Sequence, residues 1–262
     1  MAYTLQDKRV LVTGASSGLG LAMTEALAKA GATVILTARS AEKLDGAVAS
    51  LARCGLDAHT QVMDVRDEQS IATAVDEVRR RWGGLDVLVY NAGIGMRTVN
   101  LDFLSEPQPF YKVSAAGFRD LIETNLTGYF LVTKAFMALF LEQGRGKVVN
   151  ITMNHATMRR KGFVPYGPSR AAAESLSLIM AEDLREANVT VNMLLPGGAT
   201  DTGMIPDEHR EAIKAQFGLL SPAVMADPIV FLSSKASDGI TGERIAANEF
   251  AEWLRQREHR AL

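Results

Sequence analysis

The chain has 262 residues, 47% of them apolar and 22% charged, with a formal net charge of −2. A globular chain of this length buries roughly three quarters of its unfolded surface. The charge balance excludes general attraction to nucleic acid or anionic membrane; the lone Cys54 cannot form an internal disulfide, and no apolar run reaches the about 18 residues a membrane span needs.

Strand-like and helical runs alternate from the start. Residues 9–13 (RVLVT) form a short β-branched run, and helical spacing over 18–30 stops at Gly31. Strand 32–37, helix 41–53 (ending at Gly55), strand 58–63, helix 68–82 (closed by Gly83-Gly84) and strand 85–90 follow. Cys54 is expected as a partly buried thiol at the end of the second helix. The second half repeats the habit with a long helix over 115–142, strand 147–152, helix 165–187 and strand 189–194. Helix 222–234, strand 243–247 and helix 249–258 complete it. Such alternation predicts an α/β fold in one domain over 1–262, a doubly wound parallel sheet with helices on both faces. The polar opening, residues 1–9, carries no secretory segment, so a cytoplasmic location is expected. No cluster of His and Cys has metal-ligand spacing, and no metal is expected.

Thr13-Gly14-Ala15-Ser16-Ser17-Gly18-Leu19-Gly20 lies at the first strand–helix turn. Glycines there let the backbone approach a pyrophosphate, and the helix N-terminus offers free N–H groups and a positive dipole end, which assigns Gly14, Ser16, Ser17, Gly18, Leu19 and Gly20 to a dinucleotide. The second strand ends in Ala38-Arg39-Ser40, with no acid to hold a ribose 2′-hydroxyl and repel a 2′-phosphate. Arg39 presents a planar fork suited to that phosphate, so NADP(H) is the expected cofactor.

Together with Asn91-Ala92-Gly93, Asn125 and Tyr166-Gly167-Pro168-Ser169-Arg170, these residues resemble the short-chain dehydrogenase/reductase family. The resemblance spans essentially the whole chain. It implies Asp64 and Val65 near the adenine, Asn91, Ala92 and Gly93 against the adenosine side, and Pro196 and Gly197 at the nicotinamide. It puts Thr200 or Thr202 on a cofactor phosphate. It also implies a Tyr166 hydroxyl that exchanges a proton with the substrate oxygen, a cation at Arg170 beside the nicotinamide ribose, and a relay water held by Asn125. A homodimer or homotetramer through helices 115–142 and 165–187 is implied as well, with Ala171, Ala172 and Ala173 permitting close packing.

Two positions depart from the family pattern. Arg170 stands where the family has Lys, and a guanidinium keeps its charge but does not release a proton. Met153, thirteen residues before Tyr166, stands where the family has a Ser that hydrogen-bonds the reacting oxygen. A thioether has no proton to donate. Thr152, Asn154 and His155 are the neighbouring donors, and strand alternation favours Asn154 over Thr152. The expected function is NADP(H)-dependent hydride transfer between the nicotinamide and a carbonyl or secondary alcohol of a medium-sized, partly apolar small molecule. The alternative is a dinucleotide-binding protein with little catalysis, a redox sensor or assembly partner. An apolar, Pro-stiffened segment over about 96–113, with Phe103, Pro107, Pro109, Phe110 and Tyr111, either walls the substrate site or pins itself to the body. Residues 202–220 correspond to a substrate lid with Met204, Ile205 and Phe217 on its apolar side. Arg159-Arg160-Lys161 either attracts an anionic substrate or is a solvated turn.

Overall fold

Seven parallel strands form one sheet in the order β3-β2-β1-β4-β5-β6-β7. The computed structural model describes residues 3–260, without the side chains of Phe217 and Arg260. The first half runs β1 (Arg9–Thr13), α1 (Gly18–Lys29), β2 (Thr33–Ala38), α2 (Ala41–Arg53), β3 (His59–Val62), α3 (Glu68–Trp82) and β4 (Val87–Tyr90). The second half runs α4 (Ala115–Ile122), α5 (Gly128–Gln143), β5 (Gly146–Ile151), α6 (His155–Met158), α7 (Tyr166–Asp183), β6 (Val189–Leu195), α8 (Asp207–Phe217), α9 (Ala226–Ser233), β7 (Arg244–Ala246) and α10 (Phe250–Arg260). The strand order reverses between β1 and β4, and the crevice at such a reversal is where open α/β sheets bind ligands.

Alternation along each strand divides the core in two. Val10, Val12, Val34, Leu36, Val87 and Val89 pack with Met23, Leu27, Ile229 and Phe231 on the face covered by α1, α2, α9 and α10. Leu11, Ile35, Leu88 and Tyr90 point the other way and pack with Val75, Tyr129, Phe136 and Ala173 of α3, α5 and α7. Burial on both faces is why the central strands read as continuous apolar runs rather than as alternating ones. Cap chemistry sets the helix starts: Ser40 accepts from the Lys43 N–H, Asp67 from the Gln69 and Ser70 N–H groups, and Ser114 from the Gly117 N–H.

The expected single helix over 115–142 is interrupted. A π turn at Glu123–Thr127 joins α4 to α5 and carries the buried Asn125. This continuous run, Ala115–Gln143, is long and apolar enough to cross a membrane by length and composition, yet half of its apolar window is buried in the fold, as in a core helix. Cys54 caps α2 and is exposed, not partly buried as expected.

Candidate active site

The turns after β1, β4, β5 and β6 meet at one edge of the sheet and are held together by backbone-directed hydrogen bonds. Thr13 Oγ1 accepts from the N–H groups of Asn91 and Ala92, and Asn91 Nδ2 donates to the carbonyls of Thr13 and Gly14. Asn91 therefore splices the first turn to the fourth. Gly14 adopts φ 63°, and a Cβ there would stand 2.8 Å from Ala92 Cα, so glycine is required twice over. Ser17 is extended at the head of α1 and makes no side-chain cap, leaving its hydroxyl and the first N–H groups of the helix available to an anion.

Arg39 stands exposed at the end of β2, outside every ion pair among the described residues. Ser40 accepts the α2 cap bond through its oxygen and keeps its proton to donate. Asp64 is half-buried after β3, where its Oδ1 accepts from the Arg66 N–H at 3.0 Å. Val65 is buried against Gly128. Thr200 is also buried and spends its hydroxyl on the Gly198 carbonyl, whereas Thr202 lies over Gly18 at the head of α1.

A cavity of about 610 Å³ opens on this edge. It brings together Leu19, Asn91, Asn154, Tyr166, Arg170, Pro196, Gly197 and Thr200. Arg39, Asp64 and Val65 stand outside it, beyond β1 on the far side of the strand reversal.

Tyr166 opens α7 and is half-exposed; its hydroxyl lies 3.8 Å from Met204 Sδ. Arg170, one helical turn on, is 4% exposed, with its guanidinium 5.5 Å from the Tyr166 ring centroid. Nη1 donates to the Ile151 carbonyl, and Nε has no partner among the described residues. A Cβ at Gly93 would overlap Nη2, so Gly93 makes room for the guanidinium. No carboxylate among the described residues pairs with this buried cation. Its field reaches Tyr90: burial pushes that phenol well above its ordinary value, and Arg170 partly offsets the push.

Asn125 is wholly buried. Its Oδ1 accepts from the Ile94 N–H, and its Nδ2 donates to the Ile94 carbonyl and to Ser169 Oγ. The side chain is thus spent on clamping the turn after β4 to α7. Met153 packs in a small apolar cluster with Met96, Phe103, Phe163 and Tyr166. Of its three neighbours, Thr152 donates to Glu174 Oε1 at 2.7 Å and His155 Nε2 lies 3.0 Å from Glu174 Oε2. Asn154 donates one amide proton to the Gly197 carbonyl, keeps the other, and faces the cavity.

Glu174 and Arg244 belong to the site without having been read from the chain. The Glu174 carboxylate gathers Thr152, His155 and the Nε of Arg244, and Arg244 Nη2 donates to the Met153 carbonyl at 2.6 Å. Glu174 follows Arg170 by four residues on α7, a spacing that could have marked it; Arg244 carries no such signal. The 96–113 segment walls the cavity through Met96, Phe103, Leu104 and Ser105, whereas Phe110 and Tyr111 stand out on the surface. Met204 and Ile205 line the cavity from the other side, together with His209, Ala212, Ile213 and Gln216 of α8. The expected apolar contribution of Phe217 lies outside the described residues.

A family model described as short chain dehydrogenase matches residues 8–212. A gluconate 5-dehydrogenase of Gluconobacter oxydans is 34% identical over 250 residues, covering 92% of this chain and 93% of that one. A 3-oxoacyl-[acyl-carrier-protein] reductase of Aquifex aeolicus is 34% identical over 254 residues, covering 95% and 98%. The solved structure of a gluconate 5-dehydrogenase from Burkholderia cenocepacia, in complex with NADP and tartrate, superposes with a TM-score of 0.81 at 25% identity over 96% of this chain and 98% of that one. With the glycine-rich turn, the spliced fourth turn and a Tyr–cation pair at one sheet edge, these matches place the chain in the short-chain dehydrogenase/reductase family, as an oxidoreductase acting on CH–OH groups with a nicotinamide cofactor.

Proposed function

We propose that the protein transfers hydride between NADP(H) and the carbonyl or secondary alcohol carbon of a small, partly apolar molecule. The carrying observation is that Tyr166 and a buried, carboxylate-free Arg170 face the same cavity as the nicotinamide-side turn at Pro196-Gly197. The orphaned Nε of Arg170 and the uncapped head of α1 fit a dinucleotide's ribose and phosphates. When bound, the nicotinamide supplies or accepts the hydride.

The chain's own residues do the rest. Tyr166 exchanges a proton between its hydroxyl and the substrate oxygen. Arg170 stabilises negative charge on the phenolic oxygen and hydrogen-bonds the ribose, without itself moving a proton. Asn125 positions the turn after β4. Asn154 supplies the hydrogen bond that Met153 cannot. Gly14, Ser16, Ser17, Gly18, Leu19 and Gly20 receive the pyrophosphate, with Thr202 better placed than Thr200 to add a hydroxyl. Asp64 and Val65 flank the adenine, and Asn91, Ala92 and Gly93 line the adenosine path. Arg39 and Ser40 take the 2′-phosphate, a choice supported by the NADP held in the Burkholderia cenocepacia relative.

Exposed Phe118, Phe130 and Leu141 on α4 and α5, with Leu178 and Ile179 on α7, offer apolar faces for a homodimer or homotetramer. A panel of ketones and secondary alcohols, followed at the nicotinamide absorbance band with both cofactors, tests the reading. Turnover is expected with NADP(H). Cofactor binding with a silent panel would favour a dinucleotide-binding protein without catalysis.

A further inference from the structure

The cavity wall is charged on one side of the scale only. Arg160 and Arg170 line it, and no Asp or Glu among the described residues does. Arg170 is taken up beside Tyr166, which leaves Arg160 as the cation available to a substrate. Its guanidinium sits 5.3 Å from the Phe163 ring centroid, and Phe163 meets Phe103 edge to face at 5.7 Å. Met153 and Tyr166 belong to that same cluster. Arg160 is therefore moored, through one aromatic ring, to the cluster that carries the proton-exchanging tyrosine. No ion pair among the described residues includes it, and its sequence neighbours Arg159 and Lys161 add positive potential.

The rest of the wall limits what the anion can be attached to. Met96, Phe103, Leu104, Met153 and Phe163 give one apolar stretch and Met204, Ile205, Ala212 and Ile213 another, with Ser105, Thr157, His209 and Gln216 as polar points among them. A polyhydroxylated chain would lose water from every hydroxyl that meets these apolar stretches, at a cost for each group left unpaired. An alkyl or aryl body loses nothing there.

Resting on the oxidoreductase reading above, we propose that the substrate is an oxo or hydroxy acid with an apolar body. Arg160 binds its carboxylate while the reacting carbon reaches Tyr166. A carboxylate in a bidentate pair with Arg160 would gain charge-assisted hydrogen bonds that the amide or ester of the same body cannot make.

Binding and turnover test the two readings separately. Calorimetric titration of the protein, with and without NADPH, uses hexanoate and hexanamide as probes. Hexanoate is expected to bind at least tenfold more tightly; Arg160→Gln should close that gap, and Arg160→Lys should restore part of it. Equal affinity for the two probes, no binding of hexanoate, or a gap unchanged in Arg160→Gln overturns the carboxylate site. In parallel, turnover of medium-chain oxo acids is compared with that of their methyl esters and of 5-ketogluconate, with the acids expected to be best. Turnover of esters and neutral ketones without any preference for the acid would leave the oxidoreductase standing and sink this inference. A carboxylate preference in binding with every carbonyl silent would leave the Arg160 carboxylate site standing and sink the oxidoreductase reading.

Discussion

The two edges of the sheet use charge in opposite ways. At the N-terminal edge the two buried charges among the described residues, Asp86 and Lys147, have partners. Asp86, 6% exposed ahead of β4, accepts from the backbone N–H and Nε of Arg9 at 3.0 and 2.8 Å. Burial alone would push its carboxyl up, but the Arg9 hydrogen bonds and charge outweigh it and hold the group below the usual carboxylate range. Lys147, at the start of β5, is pulled down by burial and partly restored by Asp238 at 2.7 Å. At the C-terminal edge buried Glu174 is paired with Arg244, but among the described residues the buried guanidinium of Arg170 has no carboxylate, and both its Nε and His209 Nε2 lack partners. The first edge is closed and serves stability; the second is left open for ligands.

The sharpest way to break this contrast is at Tyr166. Tyr166→Phe should lower kcat by ~10³-fold, about 4 kcal/mol of transition-state stabilisation, because only the exchangeable proton is lost. Affinity for NADPH should barely change by fluorescence titration; a mutant keeping more than a few per cent of the rate would move the proton step elsewhere. The matching change at the closed edge is Asp86→Ala. Stranding Arg9 should cost about 3 kcal/mol by urea denaturation, with KM for substrate unaltered. The folded carboxyl lies below its unfolded value of about 3.9, so its contribution is present above that pH and fades as pH falls through the folded value. The gap between the two proteins should therefore narrow in acid, and a constant gap down to low pH would show that charge is not its source.

A smaller effect belongs to Arg39, at the open edge but outside the cavity. NADPH should bind at least tenfold more tightly than NADH, ~1.4 kcal/mol, and Arg39→Ala should erase most of that difference. Equal affinities in the unaltered protein would mean that Arg39 is merely solvated. The smallest effect is expected from Met153→Ser combined with Arg170→Lys. Met153 packs among Phe103, Phe163 and Tyr166, so a serine there trades an apolar contact for a hydroxyl. Turnover of a generic activated ketone should change by less than about threefold, or about 0.65 kcal/mol. A gain of tenfold or more would mark this as an impaired site rather than one rebuilt around methionine.

The central strands were legible as buried, largely β-branched runs, whereas exposed or half-exposed β3 (His59–Val62) was legible from its place between two helices. The turns that carry chemistry were legible for a related reason: each follows a strand, and each needs glycine or a short polar residue where backbones approach. What escaped depended on contacts between distant segments. The π turn at Glu123–Thr127 leaves no mark on helical spacing. The helix Asp207–Phe217 is strongly polar, and its apolar residues acquire a direction only from the cavity they cover. His155, a donor candidate by proximity to Met153, turns instead to Glu174, whose position in space the chain order does not disclose. The side-chain commitments of Asn125 likewise follow from Ile94 and Ser169, which lie 31 and 44 residues away.

Arg244 gives the site a dependence on the order of synthesis. Its guanidinium joins Glu174 to the Met153 carbonyl from the last strand of the sheet to leave the ribosome. The β1–β4 frame is made earlier, but it packs against Ile229 and Phe231 of α9 and Phe250 of α10, and a domain generally folds as a unit. A nascent chain halted before residue 244 would thus lack both the fastening of the Met153 carbonyl and part of the packing beneath the glycine-rich turn. Cofactor capture and substrate discrimination would then both wait for the finished chain.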